Sequence, residues 1–129
     1  MTKESFFLIF NAVGVSLVSL GYGFNPAESL PRLYEIELTN NNMANIFRAV
    51  MGLYIGFATL WILGAVNKDI QLPALWSLIV FMTGIGLGRA LSMILDGMPD
   101  FIFVGYMIIE FVFAAIGYLL IKGLQKNNQ

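Results

Sequence analysis

Three charged side chains sit where the rest of the chain is oil-like. Arg48, Arg89 and Glu110 each fall inside, or just within, a long apolar run. A charge near the centre of a bilayer costs at least about 2.5 to 3.5 kcal/mol on insertion scales, so such residues face protein or water and are candidates for a functional site. Two guanidiniums can grip an anionic or carbonyl group through forked N–H donors. A carboxyl beside them can neutralise one guanidinium or titrate as a gate. Helical spacing adds neighbours: Arg89, Ser92 and Asp96 follow at i, i+3 and i+7 on one stripe, and Tyr106 precedes Glu110 by one turn. The candidate ligand-binding set is therefore Arg48, Arg89, Ser92, Asp96, Tyr106 and Glu110. The plainer reading of the same residues is an ion network, with Arg89 paired to Glu110 or Asp96 and Arg48 snorkelling to lipid headgroups or capping the outer rim.

The rest of the composition narrows the chemistry. The chain has no cysteine and no histidine, which removes disulfides, thiol chemistry, His or Cys ligation of zinc or haem, and imidazole proton shuttling. It carries no Walker motif, dinucleotide glycine fingerprint, nucleophile elbow or metal-binding spacing. No catalytic residue, cofactor or metal is expected, and an enzyme is the least favoured class; its form would be an intramembrane isomerase using Glu110 as acid and base. A net charge of −1 without a basic stripe gives no reason to expect nucleic acid.

The elements that must position these residues follow from hydropathy. Only 12% of the 129 residues are charged and 58% are hydrophobic, with a mean hydropathy of +0.78; soluble domains carry about 25% charge. Four apolar segments of membrane-spanning length, about 5–22, 45–66, 73–95 and 101–121, predict an all-α, integral membrane four-helix transmembrane bundle in a single domain. Lys3 ahead of the first run, with Ser19-Leu20-Gly21 behind it, also fits a signal peptide, but the run is long enough to favour a span. Residues 67–72 and Asp96-Gly97-Met98-Pro99-Asp100 read as tight turns, and Pro73 suits a first helical turn. The one long connection, 23–44, is read as a lid-like segment, with a plain linker as the alternative. Its centre, Leu30 to Leu38, fits a short interfacial helix, whereas Leu33 to Leu38 also fits a strand. Asn40-Asn41-Asn42 reads as solvated loop. Asn11 is expected to bond a neighbouring helix, and Trp61 and Trp76 to anchor at the interface.

Lysines set the orientation. Lys3, Lys68, Lys122 and Lys126 lie on one side and Arg32 alone on the other, so both termini are expected in the cytoplasm and the long loop outside. Arg48 then lies about 5 Å below the outer surface, Arg89 about 9 Å and Glu110 about 14 Å. All three belong to the outer half of the membrane.

Asn45-x-x-Arg48 followed by Met51-Gly52-Leu53-Tyr54, then Gly88-Arg89-x-x-Ser92 leading to Asp96-Gly97-x-Pro99, and Glu110 in the fourth span resemble a family of small bacterial four-helix membrane proteins of unknown function, loosely near the DoxX-like proteins. The resemblance spans nearly the whole chain. It implies a four-helix bundle in a bacterial inner membrane and marks Asn45, Arg48, Gly52, Tyr54, Gly88, Arg89, Ser92, Asp96, Gly97, Pro99 and Glu110. It implies no activity, substrate or cofactor.

The expected function is to bind or carry a lipid-like, amphipathic molecule in an outward-opening pocket between the second, third and fourth spans. Membrane lipids are the expected partners. Two alternatives stand beside it: a homodimeric proton- or ion-coupled transporter with Glu110 as coupling carboxylate, and an accessory subunit recruited through small-residue faces. Gly52-x-x-x-Gly56 and Gly84-x-x-x-Gly88 are the candidate faces.

Overall fold

The computed structural model describes residues 1–129 as five helices without a strand. They are α1 (Lys3–Gly23), α2 (Pro26–Tyr34), α3 (Asn41–Val66), α4 (Lys68–Asp96) and α5 (Phe101–Asn127). All but α2 are long and apolar enough to cross a membrane. The outer faces carry Leu53, Leu91, Ile94 and Leu119, each more than half exposed, a surface that suits lipid and not water. This is a multi-pass membrane protein.

Polar caps place the helix ends beyond the apolar runs. Asn40 Oδ1 accepts from Met43 N at 3.0 Å, so α3 begins at Asn41 and the asparagine triplet is a cap and first turn, not a loop. Asn67 serves two helices. Its N–H closes α3 on the Leu63 carbonyl at 2.9 Å, and its Oδ1 opens α4 by accepting from Asp69 N at 2.9 Å. The expected turn over 67–72 is thus a single residue, and Pro73 lies inside α4, past its first turn. α5 likewise continues beyond residue 121 to Asn127.

The connection after α1 folds as a helix, starting earlier than expected. Pro26 opens α2 at its first turn, where a missing N–H costs nothing. Glu35 ends it in the left-handed region (φ 56°), its N–H turned back to the carbonyls of Leu30 and Pro31. Residues 36–40 run on without pairing, so the strand reading of Leu33 to Leu38 is wrong.

The spanning helices pack in the order α1, α3, α4, α5. Their close approaches use glycines that no spacing motif marks. A Cβ on Gly64 would collide with Ala74, and one on Gly86 would lie 2.9 Å from ring carbons of Phe111. Gly52, Gly56, Gly84 and Gly88 have open space around them and join no helices within the chain. Trp61 is wholly buried, donating to Ser77 Oγ at 3.0 Å and edge-on to Phe81, so it is core and not an interface anchor. Trp76 is exposed. The circuit is loosest between α1 and α5, where Phe7 and Phe10 meet the ring of Phe113 at 6.1 and 5.9 Å.

Candidate functional site

α4 and α5 run antiparallel, and the absent side chain at Gly86 lets Phe111 press against α4 one turn below Arg89. That approach brings the guanidinium to the carboxylate of Glu110. Arg89 Nε donates to both oxygens, at 2.8 and 3.2 Å. The two side chains are only 17% and 11% exposed, so the pair sits largely out of solvent, where removing either partner would strand a charge. Arg89 Nη2 also reaches the Tyr22 hydroxyl at 3.5 Å, and the guanidinium carbon lies 5.4 Å from the ring of Tyr106 and 5.7 Å from that of Phe103. Those distances are within cation–π range.

Tyrosines extend this centre towards α2. Tyr22 packs on Tyr34 and edge-on to Tyr54, with ring centroids 5.3 and 5.9 Å apart. Tyr34 stacks on Phe103, and its hydroxyl meets that of Tyr106 at 3.1 Å. Burial first, and then the bond to Tyr106, push the Tyr34 phenol above its ordinary range, so it keeps its proton. The short helix is therefore fastened over the ion pair by aromatic contacts from α1 and α5.

Of the six residues picked out beforehand, the structure brings together Arg89, Tyr106 and Glu110. Ser92 and Asp96 bond to each other at 2.8 Å on the exposed rim and leave Arg89 alone. Arg48 goes elsewhere. Its Nη1 donates to the carbonyls of Gly23 and Phe24, both at 3.1 Å, satisfying the orphan C=O groups at the end of α1. It caps that helix end and makes no bond to Arg89 or Glu110. Asn11 makes no bond to another helix: its Nδ2 donates to the Phe7 carbonyl in its own helix at 2.9 Å. Tyr22 and Phe103 were missed because an aromatic near a span end looks like an interface anchor, and Tyr34 because it falls in the connection outside the spans.

Two cavities meet at Arg89. A vestibule of about 470 Å³ lies between α3, α4 and the start of α5, reaching Tyr22, Ile36, Ser92, Pro99 and Phe103. A smaller cleft of about 160 Å³ lies on the other side, between α1 and α5, with Asn11, Gly14, Met82, Tyr106, Glu110 and Phe113 on its walls. Arg89, Tyr54 and Ile85 border both. The vestibule lies where the pocket was expected, between α3, α4 and the start of α5, whereas the cleft that holds Glu110 takes a wall from α1. Its apolar lining suits hydrocarbon, and its polar end offers the remaining donors of Arg89.

The chain belongs to a family of unknown function. The matching family is described as Domain of unknown function (DUF4345), and its match covers residues 4–121. The matched region includes all of the ion pair, the tyrosine cluster and both cavities. No curated protein and no solved structure matches the chain.

Proposed function

We infer that this DUF4345 protein binds an amphipathic, lipid-like molecule in the cleft between α1 and α5, with its polar end towards Arg89 and Glu110. The observation that carries the reading is the position of the ion pair. It lines an apolar cleft at membrane depth on the one seam where the spanning helices pack most loosely. A molecule could enter from the bilayer by that seam without leaving hydrocarbon. The guanidinium is already neutralised by Glu110, which favours a dipolar or neutral head over a free anion. Since Arg89 borders the vestibule as well, a ligand handed from cleft to vestibule would pass it. That arrangement suits a carrier.

Native mass spectrometry of the detergent-purified protein tests the reading. Wild type should retain a small amphiphile, and a variant with Arg89→Met and Glu110→Leu together should fold but emerge bare. A bare wild type, or equal retention by both proteins, would overturn it.

The orientation belongs to the same proposal. Lys3, Lys68, Lys122 and Lys126 favour cytoplasmic termini in a bacterial inner membrane. The chain lacks cysteine, so single-cysteine variants report cleanly. An impermeant maleimide applied to intact cells should label Glu28→Cys and spare Gln129→Cys; the reverse pattern would invert the topology.

A further inference from the structure

We propose that the molecule held at Arg89 presents a neutral carbonyl oxygen, and that the Tyr54 hydroxyl and Nη1 of Arg89 are the two donors that receive it. The inference rests on the binding reading above and names the head group of its ligand.

Tyr54 and Arg89 border both cavities, so they stand where cleft and vestibule meet. The Tyr54 ring packs on Tyr22 and Phe81, but its hydroxyl makes no hydrogen bond. The bonds of Arg89 run from Nε to Glu110 and from Nη2 to Tyr22, which leaves Nη1 without a partner. Both atoms keep open surface, because the one polar side-chain atom buried without a partner belongs to Asn11. Tyr54 as a whole is only 9% exposed, and what it exposes lines the two cavities. Helix direction narrows the difference in depth between the donors. Tyr54 lies about 20 Å along α3 from Asn41 and Arg89 about 10 Å along α4 from Asp96, both counted from the end that α2 crosses. Every Cβ tilts towards the N-terminus of its own helix. Since α3 and α4 are antiparallel, Tyr54 leans towards α2 and Arg89 leans away from it. Tyr22 touches both, edge-on to Tyr54 at 5.9 Å and bonded to Arg89 Nη2 at 3.5 Å.

A guanidinium N–H can only donate, so the ligand must bring an acceptor. A carbonyl oxygen has two lone pairs and takes both donors at once. A hydrocarbon would leave them bare at membrane depth, where lipid tails supply no acceptor. A carboxylate would add a second negative charge beside Glu110 on the wall of the same cleft, and an ammonium would meet the guanidinium. What fits is a ketone or ester on an apolar chain. A cavity of about 150 Å³ holds one benzene ring, so the 160 Å³ cleft takes only the first few carbons behind the carbonyl. The remaining chain leaves through the seam between α1 and α5 into the bilayer.

Equilibrium dialysis of the full chain in detergent micelles, against radiolabelled 2-tridecanone and 2-methyl-1-tridecene with protein-free micelles as blank, tests the proposal. The two probes share one shape and differ in the carbonyl oxygen, which the alkene replaces with a methylene group. Wild type should hold the ketone about tenfold more strongly than the alkene. Tyr54→Phe, which removes the hydroxyl and keeps the ring, should weaken ketone binding about fivefold and leave alkene binding unchanged. Equal binding of the two probes by wild type would overturn the inference while the binding reading stands. An unchanged ketone affinity in Tyr54→Phe would overturn it too, as would an equal loss of both probes, which would assign Tyr54 to packing alone. Retention of neither probe by wild type would overturn the binding reading itself.

Discussion

Arg89 is held by one carboxylate, one phenol and two aromatic faces, and each contact needs the charge to stay where it is. Truncating one member of a buried ion pair costs about 3 to 5 kcal/mol, yet replacing both by apolar residues of similar size is often neutral or stabilising. Arg89→Met and Glu110→Leu should therefore each lower stability by about 3 kcal/mol, and the double variant should lie within about 1 kcal/mol of wild type. Denaturation in a lipid or detergent host measures the three. Additive losses would mean that the pair is not a coupled unit. At this scale the sequence was informative about charge and narrowed the partner of Arg89 to Glu110 or Asp96, of which the structure takes Glu110. Arg89 and Glu110 stood out because hydrocarbon penalises them, and their phases let them meet. Arg48 stood out for the same reason, but the carbonyls of Gly23 and Phe24 that claim it belong to a helix end whose position no pattern announces.

The helices were legible where hydrophobicity draws their borders and blurred where caps do. Apolar runs marked α1 and the start of α5 to within two residues. They missed the first turns of α3 and α4, because the residues that follow the caps Asn40 and Asn67 begin with polar ones that are nonetheless helical. Glycine spacing did not locate the close approaches within the chain, because a small-xxx-small pair says that a face is smooth, not what lies opposite it. Gly64, which spacing did not mark, is where α3 touches Ala74 of α4. Gly64→Ala should therefore cost about 1 to 3 kcal/mol through overpacking, whereas Gly56→Ala, which meets nothing within 4 Å, should be neutral or gain up to about 1 kcal/mol from helix propensity. Thermal unfolding of the two variants decides. A loss at Gly56 equal to that at Gly64 would contradict this account of the packing.

Taken whole, the molecule is a circuit of four spanning helices closed firmly on three sides and loosely on the fourth, with α2 fastened across the end nearest the ion pair. The loose seam was not readable from sequence, since it depends on which helices fail to pack closely and hydropathy treats every span alike. It gives the buried charges a route to lipid. Photocrosslinking with a diazirine-bearing long-chain alcohol in nanodiscs, mapped by peptide mass spectrometry, tests this claim most directly. Adducts should concentrate on α1 between Phe10 and Val18 and on α5 between Tyr106 and Phe113. They should fall away in Gly14→Leu, which adds bulk at the cleft wall from a position where a Cβ meets nothing within 4 Å. Adducts spread evenly over lipid-facing positions such as Leu53, Leu91 and Leu119, unchanged in Gly14→Leu, would contradict it.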